Sequence, residues 1–279
     1  MTSLPHRPSE PPRLIGSDVD GTLIDDQDRI TDRTRRVISA AVADGAQFVL
    51  ATGRPPRWLK PIIEQLGYAP LAVCANGAVV YDSSADQILT ASTLPVETLE
   101  WLADCALTAI PGCGLAAERV GRSAHDAASP QFVSAPGYEH AWLNPDNVEL
   151  SATEVLSAPA IKLLVRKAGA ASADLRAALL PLVGDRAHIT FSTNHGLIEL
   201  SAPGVTKASG LSWAAERLGR TPAETVTFGD MPNDVPMLAW AKHGVAMGNA
   251  HRDAVIAANE ITKTNNDDGV AHVLEHWWG

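Results

Sequence analysis

The sequence predicts an α/β protein whose parallel-sheet core comes from two separated stretches of chain, with an α+β domain inserted between them. Three observations support this. Short apolar runs alternate with helix-length segments near the N-terminus, and the alternation returns near the C-terminus. The region between them does not show this regular alternation. We expect a core at 13–83 and 193–279 and an inserted cap domain at 84–192. Residues 1–12 contain four prolines and read as a flexible leader.

The N-terminal half alternates strand and helix. Thr31 can cap a helix that Gly45 ends, and later helices and strands follow at similar spacing. This order favours parallel strands joined by right-handed crossovers. The expected elements are a strand at 14–17, a helix at 32–44, a strand at 48–51, a helix at 56–66 and a strand at 71–74.

The insert and the C-terminal half continue the pattern less regularly. A stretch rich in glycine and serine near 112–140 separates the predicted elements of the insert. Those elements are a helix at 95–107, a strand at 161–165, a helix at 172–182 and a strand near 187–192. The C-terminal elements are a helix at 206–218, a strand at 225–228, a helix at 233–240, a strand at 245–247 and a helix near 268–277.

Composition narrows the class of protein. The 279 residues are 46% hydrophobic and 19% charged, which suits a soluble protein with a substantial core. A formal net charge of −10 argues against broad binding to nucleic acid or anionic membranes. No apolar run approaches the roughly 20 residues that span a bilayer. The three cysteines include no CxxC pair, so we expect reduced thiols and a cytoplasmic location. The oligomeric state is not predicted.

Four polar clusters follow predicted strands or open a predicted helix. In open parallel sheets, functional groups gather outside the carboxyl ends of the strands. The clusters are Asp18–Leu23, Thr52-Gly53-Arg54, Lys207 at a helix start, and Gly229–Asp234.

Brought together, these clusters suit phosphate chemistry. Four carboxylates would repel one another unless a cation lay between them, and oxygen ligands suit Mg²⁺. Lys207 and the Thr52 hydroxyl can hold a phosphoryl group by charge and hydrogen bonds. One carboxylate can then attack phosphorus, giving an acyl phosphate that water cleaves. The carboxylates are those of Asp18, Asp20, Asp230 and Asp234.

Each cluster alone also has a structural interpretation, since acidic turns often cap helices and a lysine at a helix start is usually solvated. Their joint order and spacing favour the functional interpretation. Other motifs fail. The 18–29 stretch is not a calcium-binding EF-hand loop, because Leu23 and Arg29 occupy the positions of its glycine and glutamate. No GxxxxGK[ST], HExxH or GxSxG motif is present.

On these motifs the chain resembles the haloacid dehalogenase-like hydrolase superfamily, specifically its Cof-type phosphatases. The resemblance implies that Asp18 is the nucleophile and a metal ligand. It also implies that Asp20 is the general acid and base and gives the metal its backbone carbonyl. The remaining roles implied are phosphate or substrate binding by Thr52, Gly53, Arg54, Lys207 and Asn233, and Mg²⁺ binding by Asp230 and Asp234. Asn76-Gly77 and 245–250 also look like Cof-type segments, with a structural or a supporting role.

The resemblance further implies a Rossmann-like core, a cap of the C2B type, and hydrolysis of small phosphate monoesters. Sugar phosphates and nucleotide or cofactor phosphates, such as flavin mononucleotide or pyridoxal phosphate, are the expected substrate classes. The cap matches no family of known specificity. Two alternatives stay open: a phosphomutase or phosphotransferase with the same nucleophile, and a regulatory protein that is phosphorylated on Asp18 and signals.

Overall fold

A computed structural model of the chain describes residues 7–126 and 130–279. The chain divides into two compact units. One comprises the residues up to Asp86 together with Thr206–Gly279, and the other comprises Gln87–Val205. The insert was expected to end at 192 but continues to Val205. The reason is a strand at Leu197–Ser201, which pairs with other strands of the second unit.

The strands of the described residues are short. In chain order they are β1 Leu14–Ser17, β2 Gln47–Ala51, β3 Leu71–Cys74, β4 Val79–Asp82, β5 Gln87–Ala91, β6 Gly114–Glu118, β7 Phe132–Ser134, β8 Asn147–Glu149, β9 Lys162–Arg166, β10 His188–Thr190, β11 Leu197–Ser201, β12 Thr225–Gly229, β13 His243–Ala246 and β14 Glu260–Ile261.

The helices agree with the sequence prediction in most places. They are α1 Asp32–Ala43, α2 Lys60–Leu66, α3 Val96–Ala109, α4 Ala152–Leu156, α5 Ser172–Val183, α6 Lys207–Arg217, α7 Val235–Trp240, α8 Arg252–Ala257 and α9 Gly269–Trp278. The helix expected at 56–66 starts only at Lys60, because Pro56–Trp58 forms a separate 3₁₀ turn. Sequence patterns did not predict α4 or α8.

The first unit is a sheet with the order β14-β13-β12-β1-β2-β3-β4. Its neighbours from β14 to β3 are parallel, which confirms the predicted parallel core, and β4 runs antiparallel to β3. The strands are almost wholly buried, as expected for a parallel sheet covered by helices. Around it, α1 packs against α9 and α6 against α7.

The second unit is a mixed sheet with the order β10-β11-β9-β6-β7-β8. Its pairs are antiparallel except β7 with β8. Helices α3 and α5 pack against each other, α3 contacts β9, and α5 contacts β10 and β11. The insert is therefore α+β, as predicted.

The N-terminal segment differs from the expected flexible leader where the structure describes it. The Arg7 guanidinium lies 2.5 Å from the Glu260 carboxylate, and the Trp277 indole N–H donates to the Pro8 carbonyl. Proline restricts the backbone of this segment, so few conformations are lost when it packs. Residues 1–6 lie outside the described residues. Within the described part of the chain, no helix is both long and apolar enough to cross a membrane.

Candidate active site

The parallel strands of the first unit bring the predicted polar clusters together. Asp18 directly follows β1, Thr52 follows β2, Asn76 lies in the turn after β3, and Asp230 follows β12. Because β12, β1, β2 and β3 are consecutive parallel neighbours, their carboxyl ends lie at one edge of the sheet. The Asp18 amide N–H donates to the Phe228 carbonyl, which ties the loop after β1 to β12.

A buried lysine lies at the centre of the site. Lys207 is the first residue of α6 and is fully buried. Its Nζ lies 2.6 Å from Asp18 Oδ1 and 2.6 Å from Asp234 Oδ1. Burial disfavours the charged amine, but the two carboxylates outweigh burial and raise the pKa of Lys207. The lysine therefore carries a permanent positive charge beside the predicted nucleophile.

Three of the four predicted carboxylates form a buried acidic group. Carboxylate oxygens of Asp18, Asp230 and Asp234 all lie within 4.8 Å of one another. Burial, and then repulsion from Asp234, raises the pKa of Asp18 well above its ordinary value. The same two causes raise the pKa of Asp230 to about 7. A cation between these oxygens would relieve the repulsion, and an all-oxygen donor set suits a hard divalent ion.

Two glycines allow the acidic group to pack this closely. Gly21 has φ +71°, and a Cβ there would lie 2.5 Å from Asp230 Oδ2. A Cβ on Gly229 would lie 2.5 Å from the Asp234 Cβ. The Thr22 hydroxyl donates to Asp230 Oδ1 at 3.0 Å and fixes that carboxylate. Side chains at either glycine would push the carboxylates apart.

Asp234 also shapes its own turn. Its Oδ2 accepts from the backbone N–H groups of Asp230 and Met231 at 2.9 and 2.8 Å. Its Oδ1 accepts from Lys207. Asp234 thus orients Lys207 and stabilises the turn that follows β12.

Asp20 lies apart from the buried acidic group. Its side chain is 56% exposed and pairs with Arg54, whose Nε and Nη2 lie 2.9 and 2.5 Å from the two carboxylate oxygens. Hydrogen bonds and charge from Asp20 outweigh the burial of the guanidinium and raise the pKa of Arg54. Arg54, which was predicted to bind phosphate or substrate, is thus engaged with the predicted general acid.

The predicted phosphate-binding side chains are buried in the same region. Thr52 is fully buried, and its Oγ1 accepts from the Arg54 amide N–H at 3.0 Å. Asn233 is 4% exposed, and its Nδ2 donates to Asn76 Oδ1 at 3.0 Å. The other amide atom of Asn233, Oδ1, is buried and has no hydrogen-bond partner among the described residues.

Sequence reasoning missed the groups that brace the loop after β1. Asn249 Nδ2 donates to the Gly21 carbonyl at 2.8 Å, and Asn249 Oδ1 accepts from the Asn265 amide N–H. Asn265 Nδ2 donates to the Ile24 carbonyl. The segment 245–250 was noticed as a possible support, but nothing in the sequence near Asn265 marked it.

Comparison with known proteins finds similarity along almost the whole chain. A model of the haloacid dehalogenase-like hydrolases matches residues 15–274. The chain is 28% identical over 265 residues to a 5-amino-6-(5-phospho-D-ribitylamino)uracil phosphatase of Bacillus subtilis, with 95% of each chain covered. It is also 28% identical over 273 residues to an HMP-PP phosphatase of Serratia proteamaculans, again with 95% of each covered.

Solved structures share the fold over nearly the whole chain. A haloacid dehalogenase-like hydrolase from Bacteroides thetaiotaomicron superposes with a TM-score of 0.71 at 26% identity, covering 94% of this chain and 98% of that one. A subclass IIB sugar phosphatase superposes with a TM-score of 0.76 at 24% identity, covering 95% and 98%. The second likeness concerns the fold alone.

Proposed function

Because the chain belongs to the haloacid dehalogenase-like hydrolases, we propose that it is a Mg²⁺-dependent phosphatase that cleaves small phosphate monoesters through an aspartyl-phosphate on Asp18. One observation carries the proposal. Asp18 lies within 2.6 Å of a fully buried lysine, in a cluster of carboxylates suited to a divalent ion. The lysine offsets the charge of an incoming phosphoryl group, which the net charge of −10 would otherwise repel.

Asp18 is the attacking group. One of its carboxylate oxygens forms a bond to phosphorus while the bond to the ester oxygen breaks. Asp20 gives a proton to the departing oxygen, so the product leaves as an alcohol. A water molecule then attacks phosphorus, and Asp20 takes a proton from that water. The bond between phosphorus and the Asp18 oxygen breaks, which releases inorganic phosphate and restores the Asp18 carboxylate. Lys207, Thr52 and Asn233 hold the phosphoryl oxygens throughout, together with Gly53.

The acidic group fits Mg²⁺. Asp18, Asp230 and Asp234 would hold the ion, with the Asp20 backbone carbonyl as a further proposed ligand. When bound, Mg²⁺ supplies positive charge that keeps Asp18 ionised and neutralises phosphoryl oxygens. Oxygen ligands without sulfur or imidazole favour Mg²⁺ over softer metals.

The names of two relatives, which specify small phosphorylated metabolites, support a proposal for the substrate class. We propose sugar phosphates or nucleotide and cofactor phosphates for this chain, acting in the cytoplasm. No observation favours phosphoryl transfer to a second sugar hydroxyl or a signalling role. Release of free phosphate and rapid turnover of the aspartyl-phosphate would contradict those two alternatives.

A panel of phosphorylated sugars, nucleotides and cofactors tests the proposal. We expect phosphate release from at least one class with Mg²⁺, none in excess chelator, and poor recovery with Ca²⁺. Calcium takes more ligands at longer distances and disturbs the alignment of attacking and leaving oxygens. Full activity in excess chelator would contradict the proposed mechanism.

A further inference from the structure

The turn after β3 has an unusual backbone. Three consecutive residues, Ala75, Asn76 and Gly77, have φ values of 52°, 57° and 102°. Glycine adopts such values freely and asparagine tolerates them, but alanine is disfavoured there. Conformations of this kind persist only where surrounding contacts enforce them, and they concentrate at functional sites.

Contacts to two of the predicted clusters enforce this turn. The Ala75 and Asn76 amide N–H groups donate to the Arg54 and Thr52 carbonyls, both at 3.0 Å. On the other side, a Cβ on Gly77 would lie 1.9 Å from the carbonyl oxygen of Thr206, the residue that caps α6. The turn is therefore packed between the loop after β2 and the start of the helix that carries Lys207.

The Asn76 side chain reaches a third cluster, Gly229–Asp234. It is 3% exposed, and its Oδ1 accepts from Asn233 Nδ2. A Cβ on Gly53 would lie 3.2 Å from the same Oδ1, so glycine leaves room for it. The hydrogen bond fixes the rotation of the Asn233 amide and leaves the second polar atom of that amide buried without a partner.

We propose that Asn76 is a positioning residue, which orients the Asn233 amide so that its unpartnered atom binds the ligand. A buried polar atom without a partner is costly, and a ligand that supplies the partner regains that cost on binding. When the side-chain amides of Asn76 and Asn233 both turn by 180°, Asn76 Nδ2 donates to Asn233 Oδ1. Asn233 Nδ2 then takes the place of the unpartnered oxygen and can donate to a phosphoryl oxygen. The inference rests on the proposed function in that it takes the ligand to be a phosphoryl group.

Asn76→Gly removes the side-chain amide but keeps the backbone conformation, so it tests the amide by itself. Glycine accepts φ near 57°, so the turn should keep its shape. Loss of the buried hydrogen bond should lower the melting temperature by roughly 2–10 °C, which leaves the variant folded in the assay. We expect kcat/KM to fall by about 10- to 100-fold, the range typical of groups that orient a ligand-binding side chain. The dissociation constant for inorganic phosphate with Mg²⁺, measured by calorimetry, should rise by a similar factor. Asp86→Gly, which also replaces a residue with positive φ (49°), is the matched control and should change neither value.

A double-mutant cycle tests whether Asn76 acts through Asn233. In the background of Asn233→Ala, Asn76→Gly should change phosphate affinity by less than about threefold, because the amide it orients is gone. Asn76→Ala deletes the same amide on a less favourable backbone, so its kinetic loss should match that of Asn76→Gly if the amide matters.

Two results would overturn the inference: phosphate affinity unchanged in Asn76→Gly, or effects of the two positions that simply multiply. The proposed function fails differently, through a wild-type protein that releases phosphate from no ester. In that case the calorimetric affinities of Asn76→Gly and wild type still decide the role of Asn76.

Discussion

At the residue scale, Lys207 shows how an acidic protein can hold a positive charge in its interior. The amine is fully buried, yet two carboxylates keep it charged. Burial lowers the local dielectric constant, so a charge there acts more strongly on a phosphoryl group than an exposed lysine would. The cost of burying it is offset by the ion pairs to Asp18 and Asp234. The first of these pairs also holds in place the carboxylate of Asp18, the proposed nucleophile.

Asp18→Asn tests the nucleophile. The amide keeps the shape of the side chain but cannot attack phosphorus, so we expect kcat to fall by about 10⁵-fold or more. Lys207 keeps Asp234 as a partner, so the variant should fold. Steady-state kinetics on an aryl phosphate and circular dichroism check both expectations, with Asp104→Asn on exposed helix surface as the control. A variant with a tenth of the original rate would exclude Asp18 as nucleophile.

Asp20→Asn separates the general acid from its neighbour. A general acid typically contributes about 10²–10⁴-fold, and the contribution is largest for poor leaving groups. We expect a much greater loss of kcat/KM on an alkyl phosphate than on an activated aryl phosphate. The Arg54 ion pair is broken in this variant, so Arg54→Met, which breaks the same pair but keeps the Asp20 carboxyl, serves as the comparison. Equal losses of Asp20→Asn on both esters would mean that Asp20 has only a structural role.

The residues closest to strand ends were predictable from the sequence, and those held by long-range side-chain contacts were not. Asp18 and Asp230 each follow an apolar strand, so topology alone places them together. The pairing of Arg54 with Asp20 depends on side-chain rotamers across 34 positions. Asn265 reaches the Ile24 carbonyl across 241 positions, and no local pattern records such a contact.

At the scale of elements, hydrophobic patterning predicted the parallel core better than the insert. β1, β2 and β3 of the core each contain an apolar run that a turn or helix follows. In the insert, β6 is largely glycine and alanine, and β7 and β8 have three residues each. β11 contains the buried Glu199, whose burial depends on a lysine of another strand. Such strands form because of their neighbours rather than their own pattern.

The ion pair between β9 and β11 provides a test at this scale. Lys162 Nζ lies 2.6 Å from Glu199 Oε1, and both side chains are at most 5% exposed. Glu199→Leu leaves a buried ammonium group without this partner, and we expect a loss of about 3–5 kcal/mol in the free energy of unfolding. Adding Lys162→Met should recover part of that loss, because neither charge of this ion pair then remains buried. Urea unfolding of the three proteins checks this, and a double variant no more stable than the single one would contradict it.

At the scale of the whole molecule, the part of the chain that follows the insert pairs with the first strand, β1. β12 pairs with β1 although the two lie more than two hundred positions apart, and together they bring Asp18 beside Asp230. The four predicted clusters therefore need both halves of the core, while the insert contributes none of them. This is why the order of the four clusters along the chain was a stronger predictor of function than any one of them.

The N-terminal segment packs against the C-terminal part of the first unit. Arg7 and His243 both contact the Glu260 carboxylate, at 2.5 and 2.9 Å. Burial opposes ionisation of this carboxyl, but hydrogen bonds from His243 and Arg7 outweigh burial and lower the pKa of Glu260 to about 2. A carboxyl with a depressed pKa stabilises the folded state above its unfolded pKa near 4.5. That contribution is lost as the pH falls from about 4.5 to about 2.

In Glu260→Gln, the free energy of unfolding should therefore depend less on pH between about 4.5 and 2. Glutamine has no proton to gain, so we expect the variant to be less stable than the original protein at pH 6 by up to about 3 kcal/mol. The difference should shrink steadily between pH 4.5 and 2. Urea unfolding at a series of pH values measures it, and Glu64→Gln, on the exposed surface of α2, should leave the curve unchanged. A difference between Glu260→Gln and wild type that stayed constant across this range would show that the Glu260 ion pairs do not couple folding to acid.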